Sequence, residues 1–253
     1  MEKNEYFCAM YQEHAPNIIL MPFVETYWTT IDDIEKETPF KVLPDGCVDI
    51  VFNLNESVPD IVGTMTTALE LTFSGKVRMF GIRFRPAAIT AFTRVPVQEF
   101  TDRMIDISLL ETVFDRHFYE SLQEHCTVEN IVNRTNNYLI SKLSSLYKPE
   151  KQVLCAVDLI YSAKGNISLA DVASDVCLCQ RHFERKFKSA VGISPKTFAK
   201  VVRFKNALHY LKKSRGRNND LFSIAISCGY YDHTHLIKDF KMLSGEVPAY
   251  FRK

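Results

Sequence analysis

FKSAVGISPKTF (residues 187–198) returns as FKMLSGEVPAYF (residues 240–251), with Phe, Lys, Gly, Pro and Phe repeated at a constant offset of 53 residues. Upstream the offset becomes 52, pairing Ala173 with Ala225 and Cys177 with Gly229, so the connection between the two aligned blocks differs by one residue. Five identities in twelve at one offset is seldom chance, and a unit written twice points to two copies of one helical element pair.

Each copy has the parts of a helix-turn-helix: a short helix with a small residue in it, a tight turn, and a second helix carrying an apolar i, i+4 pair. In the first copy Ser168-Leu169-Ala170-Asp171 reads as a capping box. The first helix then runs through Ala173, Cys177 and Leu178 make the turn, and a second helix is expected from about Cys179 to Ala190. In the second copy Asp220 is expected to cap the first helix, Ala225 is the small residue, Gly229 supplies the turn, and Asp232 caps the second helix.

With Phe183 and Phe187 turned to the core, Arg181, Arg185 and Lys188 fall on the opposite side of the helical wheel, with Glu184 on the flank. The same construction on Leu236 and Phe240 turns Thr234, Lys238 and Lys241 outward and leaves His233 in the exposed first turn. Major-groove reading needs such donor-rich first turns. Arg grips guanine with two hydrogen bonds, and Glu accepts from cytosine N4. Lys238 and Lys241 suit phosphates, which position a protein without specifying sequence. The competing reading, two ordinary solvated helix faces, is weakened by their repetition.

Residues 166–253 resemble the DNA-binding domain of the AraC family of bacterial transcription regulators, in which a long helix joins two helix-turn-helix units. The resemblance rests on ISLADVASDVCLCQRHFERKFKSAVGISPKTFAKVVRFKNAL and IAISCGYYDHTHLIKDFKMLSGEVPAYFR, including both turns, both core pairs, the Gly-x-x-Pro after each unit, and Arg203 with Ala207 between them. It implies that Gln180, Arg181, Glu184, Arg185, His233, Thr234 and Lys238 face the grooves. Two positions depart from the family pattern. Cys177 stands where Gly is usual in the first turn, at a cost of roughly 1 kcal/mol in a left-handed conformation. Cys179 stands where a Ser cap is usual, and losing such a cap costs about 1 kcal/mol. A redox-sensing Cys177/Cys179 pair is the sharper reading of the same residues, but C-x-C on a turn is poorly placed for an intramolecular disulfide.

Ahead of this lies a β-rich region. FVETYWTT (23–30), FKVL (40–43), CVDIVFNL (47–54), ELTF (70–73) and VRMFGIRF (77–84) read as strands, with a Pro44-Asp45-Gly46 turn. From Pro86 the pattern turns helical, with PAAITAFT and then segments at about 108–125 and 128–146, and Lys148-Pro149 marks the boundary. The fold expected is α+β in two domains: a β-rich, barrel-like domain with following helices over 1–148, and an all-α domain over 149–253 with helix-turn-helix units at about 168–190 and 220–243.

Residues 18–105 also resemble the β-rich domain that precedes the DNA-binding part in a subset of AraC-type proteins, through YW (27–28), LPDGCVDIVF (43–52), GIRFRPAA (81–88) and FTDR (100–103). By family analogy this domain senses a ligand or dimerises. Trp28, Asp45, Asp49, Arg83 and Arg85 are its ligand-contact residues in that reading and structural residues in the other. Arg83 and Arg85 alternate with Ile82 and Phe84, so both point to one side of the strand, toward an anion or toward acids.

Charge divides the same way. Residues 166–253 carry 16 Lys and Arg against 7 Asp and Glu, and the rest 15 against 23, although the chain's net charge is +1. A basic carboxyl-terminal third suits a polyanion. Seven scattered cysteines without a CxxC pair suggest neither a disulfide framework nor a zinc knuckle,. The acidic start and the lack of any ~18-residue apolar run point to a cytoplasmic protein that enters no membrane.

The expected activity is that of an effector-responsive, sequence-specific transcription regulator needing no cofactor. Its expected partners are double-stranded DNA, RNA polymerase, an unknown small-molecule effector and a second copy of the chain. A ligand-independent architectural DNA binder is the first alternative. The second is a metal- or cysteine-dependent enzyme built on Asp232-His233-Thr234-His235; a helix there points the two imidazoles about 200° apart, which prevents a shared metal.

Overall fold

The computed structural model describes residues 11–55, 58–109, 114–123, 127–213 and 220–252. Six strands come first in the chain: β1 Tyr11–His14, β2 Val24–Val42, β3 Val48–Asn53, β4 Asp60–Val62, β5 Leu69–Phe84 and β6 Met104–Asp106. All pair antiparallel in the order β1-β2-β5-β3-β4-β6. The segments expected as FVETYWTT and FKVL are the two ends of the single 19-residue strand β2, and ELTF and VRMFGIRF are the ends of the 16-residue β5. Their middles, including Glu35-Lys36-Glu37, are mostly polar and exposed, with Ile34 buried by itself, so no alternating buried face marks them as strand. A register shift between Ile34 and Thr38 lets this strand pair bend,. Its far end then curls back over the near end, because Phe40 and Leu71 line the same cavity as Trp28 and Met79.

The inner face of the sheet is aromatic. Phe80, Phe84, Phe92 and Phe100 are fully buried, and Phe118 stacks on Tyr138 with ring centroids 3.9 Å apart. The expected helix at PAAITAFT is one 3-10 turn, Ala88–Ala91. The helix expected from about 108 to 125 is the shorter α1, Arg116–Gln123, and that over 128–146 is α2, Val128–Lys142, capped by Thr127 through the amide of Asn130. Ile131, Thr135 and Leu139 of α2 recur every four residues and are buried,.

The second core is wholly helical: α3 Lys151–Ser162, α4 Leu169–Asp175, α5 Gln180–Val191, α6 Pro195–Lys213, α7 Leu221–Ser227 and α8 His233–Ser244. The helix limits reproduce the sequence repeat. α5 and α8 begin and end 53 residues apart, and α4 and α7 begin and end 52 residues apart. The small residues Ala173 and Ala225 are buried, as are the pairs Phe183/Phe187 and Leu236/Phe240. Each unit closes on a glycine with positive φ, Gly192 at 93° and Gly245 at 75°, followed by a proline and a buried Phe198 or Phe251.

The two cores touch through hydrogen bonds to the ends of α5 and α8. The hydroxyl of Thr64 donates to the Val191 carbonyl (2.6 Å) and that of Thr101 to the Gly192 carbonyl (2.8 Å). Nζ of Lys41, on β2, reaches the Ser244 carbonyl (3.3 Å) and Glu246 (3.1 Å).

Candidate nucleic-acid interface and ligand cavity

The Ser168 hydroxyl accepts from the Asp171 amide, which starts α4 as the sequence suggests. The turn after it holds Cys177 at φ 54°, a left-handed conformation that glycine adopts without strain,. Cys179 occupies the N-cap of α5 without a side-chain cap bond. In the second unit Asp232 accepts from the His235 amide at 2.7 Å and Gly229 makes the turn at φ 79°. Asp220 holds the N-cap position of α7, but its side chain makes no cap bond, in contrast to the expectation.

Gln180, Arg181, Glu184, Arg185 and Lys188 of α5 are all exposed, and so are His233, Thr234, Lys238 and Lys241 of α8. Gln180 donates to Glu184 (3.2 Å) one turn on, and Nη2 of Arg185 lies 2.7 Å from Nε2 of His182. Arg181, Lys188, Lys238 and Lys241 form no ion pair among the described residues, whereas Lys186 is tied to Glu150 of α3 at 2.9 Å. Arg181, Lys188, Lys238 and Lys241 thus keep their charge for a partner. His182, which the wheel reading did not include, is exposed on the same helix and lies against Arg185. His235 lies edge-on to the buried Tyr230 ring at 5.6 Å, away from His233, and no group of three or more His, Cys, Asp or Glu suited to a metal occurs among the described residues.

Helix α6 sets the two units relative to each other. From it Arg203 reaches the Gly165 carbonyl ahead of the first unit (3.4 Å) and stands over the Tyr230 ring of the second (5.3 Å). Gly165 is required here, since a Cβ would press into the α6 backbone at Ala199.

In the β-rich domain Trp28, Asp49 and Arg83 come together across β2, β3 and β5. The indole lies against Gly81, where a Cβ would overlap it, and its Nε1 donates to Asp49 at 2.9 Å. Arg83 grips Asp49 with two hydrogen bonds (3.0 and 2.9 Å) and lies 3.4 Å from Asp45. Burial pushes the Asp49 carboxyl above its ordinary range,. For Asp45 burial acts the same way but is outweighed by Arg83, by Lys205 of α6 and by the Cys47 amide, which hold it low. Arg85, just past the end of β5 and 3.9 Å from Glu25, does not line the cavity described next but shares a separate pocket with Arg83, Asp45 and Cys47. The cluster lines a cavity of about 160 Å³ whose other walls are mostly apolar. Thr30, two residues after Trp28 and on its face, also lines the cavity,. Strand alternation in FVETYWTT carried that signal.

The Asp45-Gly46-Cys47 turn also touches the helical domain. The Tyr161 hydroxyl donates to the Asp45 carbonyl at 3.4 Å, and Gly46, at φ 83°, leaves room for Phe198, whose Cε2 would lie 2.6 Å from a Cβ there.

Residues 172–253 match a family described as a helix-turn-helix domain, and the HTH-type transcriptional regulator MtrA of Neisseria gonorrhoeae is 35% identical over 69 residues. The carboxyl-terminal domain is an AraC-type helix-turn-helix domain. The stretch shared with MtrA covers 27% of this chain and 22% of that relative. Ahead of the AraC-type domain, residues 12–106 match a domain of unknown function, DUF6597. Among solved structures, ToxT from Vibrio cholerae superposes with a TM-score of 0.48 at 10% identity, covering 89% of this chain and 97% of ToxT. Unsaturated fatty acid bound wild-type ToxT superposes at 0.47 and 10% identity, covering 94% of this chain and 96% of ToxT. At that level of superposition neither bears on what this chain binds. No helix among the described residues is long and apolar enough to cross a membrane.

Proposed function

We propose that the protein is a sequence-specific DNA-binding transcription regulator whose helices α5 and α8 enter successive major-groove segments, about one helical turn (~34 Å) apart along the duplex. The observation that carries this reading is the pair of equivalent helices, 53 residues apart, each burying an aromatic or leucine pair and exposing donors from its first turns. Gln180, Arg181, Glu184 and Arg185 read base edges in the first unit, and His233 and Thr234 in the second. Lys188, Lys238 and Lys241 meet phosphates, which hold the register. The β-rich domain adjusts DNA affinity or geometry when a small molecule binds it.

A duplex library of random sequence, selected against the full chain, supplies the operator. Gel-shift titration then compares that operator with scrambled DNA. In R181A/R185A discrimination falls by ~1–3 kcal/mol for each base pair that was read. In K238A affinity falls for all sequences alike, and the slope of log K against log salt drops by about 1. Equal affinity of the native chain for operator and scrambled DNA would make it an architectural binder, and unchanged selectivity in R181A/R185A would remove α5 from base reading.

A further inference from the structure

Thr30 is 2% exposed and lines the cavity, and its Oγ1 has no hydrogen-bond partner among the described residues. A buried hydroxyl left unpaired is costly, and native structures seldom keep one without a use. Water is a poor occupant beside it. A buried water needs two to four polar partners, and the walls here include Phe40, Leu71, Phe73 and Met79,. The polar end of the cavity is already satisfied. Asp49 accepts three hydrogen bonds from Arg83 and Trp28, and Asp45 accepts from the Cys47 amide and faces Arg83. Both carboxylates face Arg83, so neither they nor the guanidinium are free to grip an ionic ligand. An ionic ligand would be desolvated without a counter-charge. The volume, about 160 Å³, is that of one ring: a dry cavity of about 150 Å³ takes up benzene,.

We propose that this cavity binds an uncharged molecule of about one ring in size, bearing a single hydroxyl or carbonyl group that hydrogen bonds to Thr30 Oγ1. The site rests on the reading of the β-rich domain as the sensing part. It also has a route outward, since the same Asp45-Gly46-Cys47 turn that lines the cavity lies against Tyr161 and Phe198 of the helical domain.

Trp28 is the sole tryptophan of the chain and lines the cavity, so its fluorescence reports occupancy. The full chain, without DNA, is titrated with four non-absorbing rings: cyclohexanol, methylcyclohexane, cyclohexanecarboxylate and cyclohexylammonium. Cyclohexanol is expected to perturb Trp28 saturably and to bind about five- to tenfold tighter than methylcyclohexane, the margin of one hydrogen bond. The two ions are expected to leave Trp28 unchanged. In Thr30→Val, which keeps the shape, methylcyclohexane still binds and the preference for cyclohexanol disappears; in Thr30→Ser, which keeps the hydroxyl, the preference stays. Absence of binding by both uncharged rings, equal binding of either ion, or a preference retained in Thr30→Val overturns the proposal. Ring binding by a chain that fails to discriminate operator from scrambled DNA would sink the regulator reading and leave the cavity site standing, and the converse result would do the reverse.

Discussion

Among the described residues Cys177 is one of four non-glycine residues held at positive φ, and the only one of these at a helix-turn-helix turn. Its counterpart 52 residues on is Gly229, at φ 79°, so the two copies of one turn have the same backbone with and without a Cβ. For an L-residue that conformation costs roughly 1 kcal/mol or more. Cys177 is exposed, so replacing it removes no packing. Cys177→Gly is therefore expected to stabilise the protein by about 1 kcal/mol, less the extra freedom glycine gives the unfolded chain. A shift of the urea midpoint to higher concentration at constant slope checks it. This position was readable from sequence, because the repeat aligns Cys177 with a glycine. Thr30 was not: strand alternation puts it beside Trp28, but that its hydroxyl has no partner depends on what the curled end of the β2–β5 pair brings opposite.

At the scale of the helix, caps separate what the repeat makes look alike. Asp220 and Asp232 both hold N-cap positions, but only Asp232 accepts a backbone amide, that of His235 at 2.7 Å. Asp232→Ala is expected to cost about 1 kcal/mol and to fray the first turn of α8, which carries His233 and Thr234. Asp220→Ala is expected to cost a few tenths at most, the remaining interaction with the helix dipole. Equilibrium denaturation of the two variants makes the comparison. The helices of the carboxyl-terminal domain were legible because caps, turns and apolar spacing all agree twice over. The strands were less so. β4 and β6 are three residues each and pair with each other at Asp60–Asp106 and Val62–Met104, too short to show alternation. The long β2–β5 pair was read as four strands because its mostly polar middle, with Ile34 alone buried, carries no alternating buried face, and only pairing with a partner strand identifies it.

At the scale of the molecule, the β-rich domain holds α5 and α8 by the same end. Thr64 and Thr101 donate to carbonyls at the carboxyl end of α5, and Lys41 donates to the Ser244 carbonyl at that of α8. Last-turn carbonyls lack helical partners, so these contacts satisfy groups that would otherwise be left over. Within the helical domain α6 and Arg203 already link the two units, and the β-rich domain is a second strut across them. Two struts should fix the spacing of α5 and α8 more tightly than one. Inserting one base pair between half-sites rotates one against the other by about 34°, given 10–10.5 base pairs per turn. The native chain is therefore expected to lose much of its affinity on such an insertion, by an amount on the order of a mismatched base pair, ~1–3 kcal/mol. A chain carrying Lys41→Ala, Thr64→Val and Thr101→Val keeps α6 and loses the second strut. Its penalty for the inserted base pair should shrink while its affinity for the unaltered operator falls less, which gel shifts on the two duplexes measure directly. An equal penalty in both proteins would mean that α6 alone sets the spacing, and that ligand binding in the β-rich domain must reach DNA by the Asp45-Gly46-Cys47 turn against Phe198 instead.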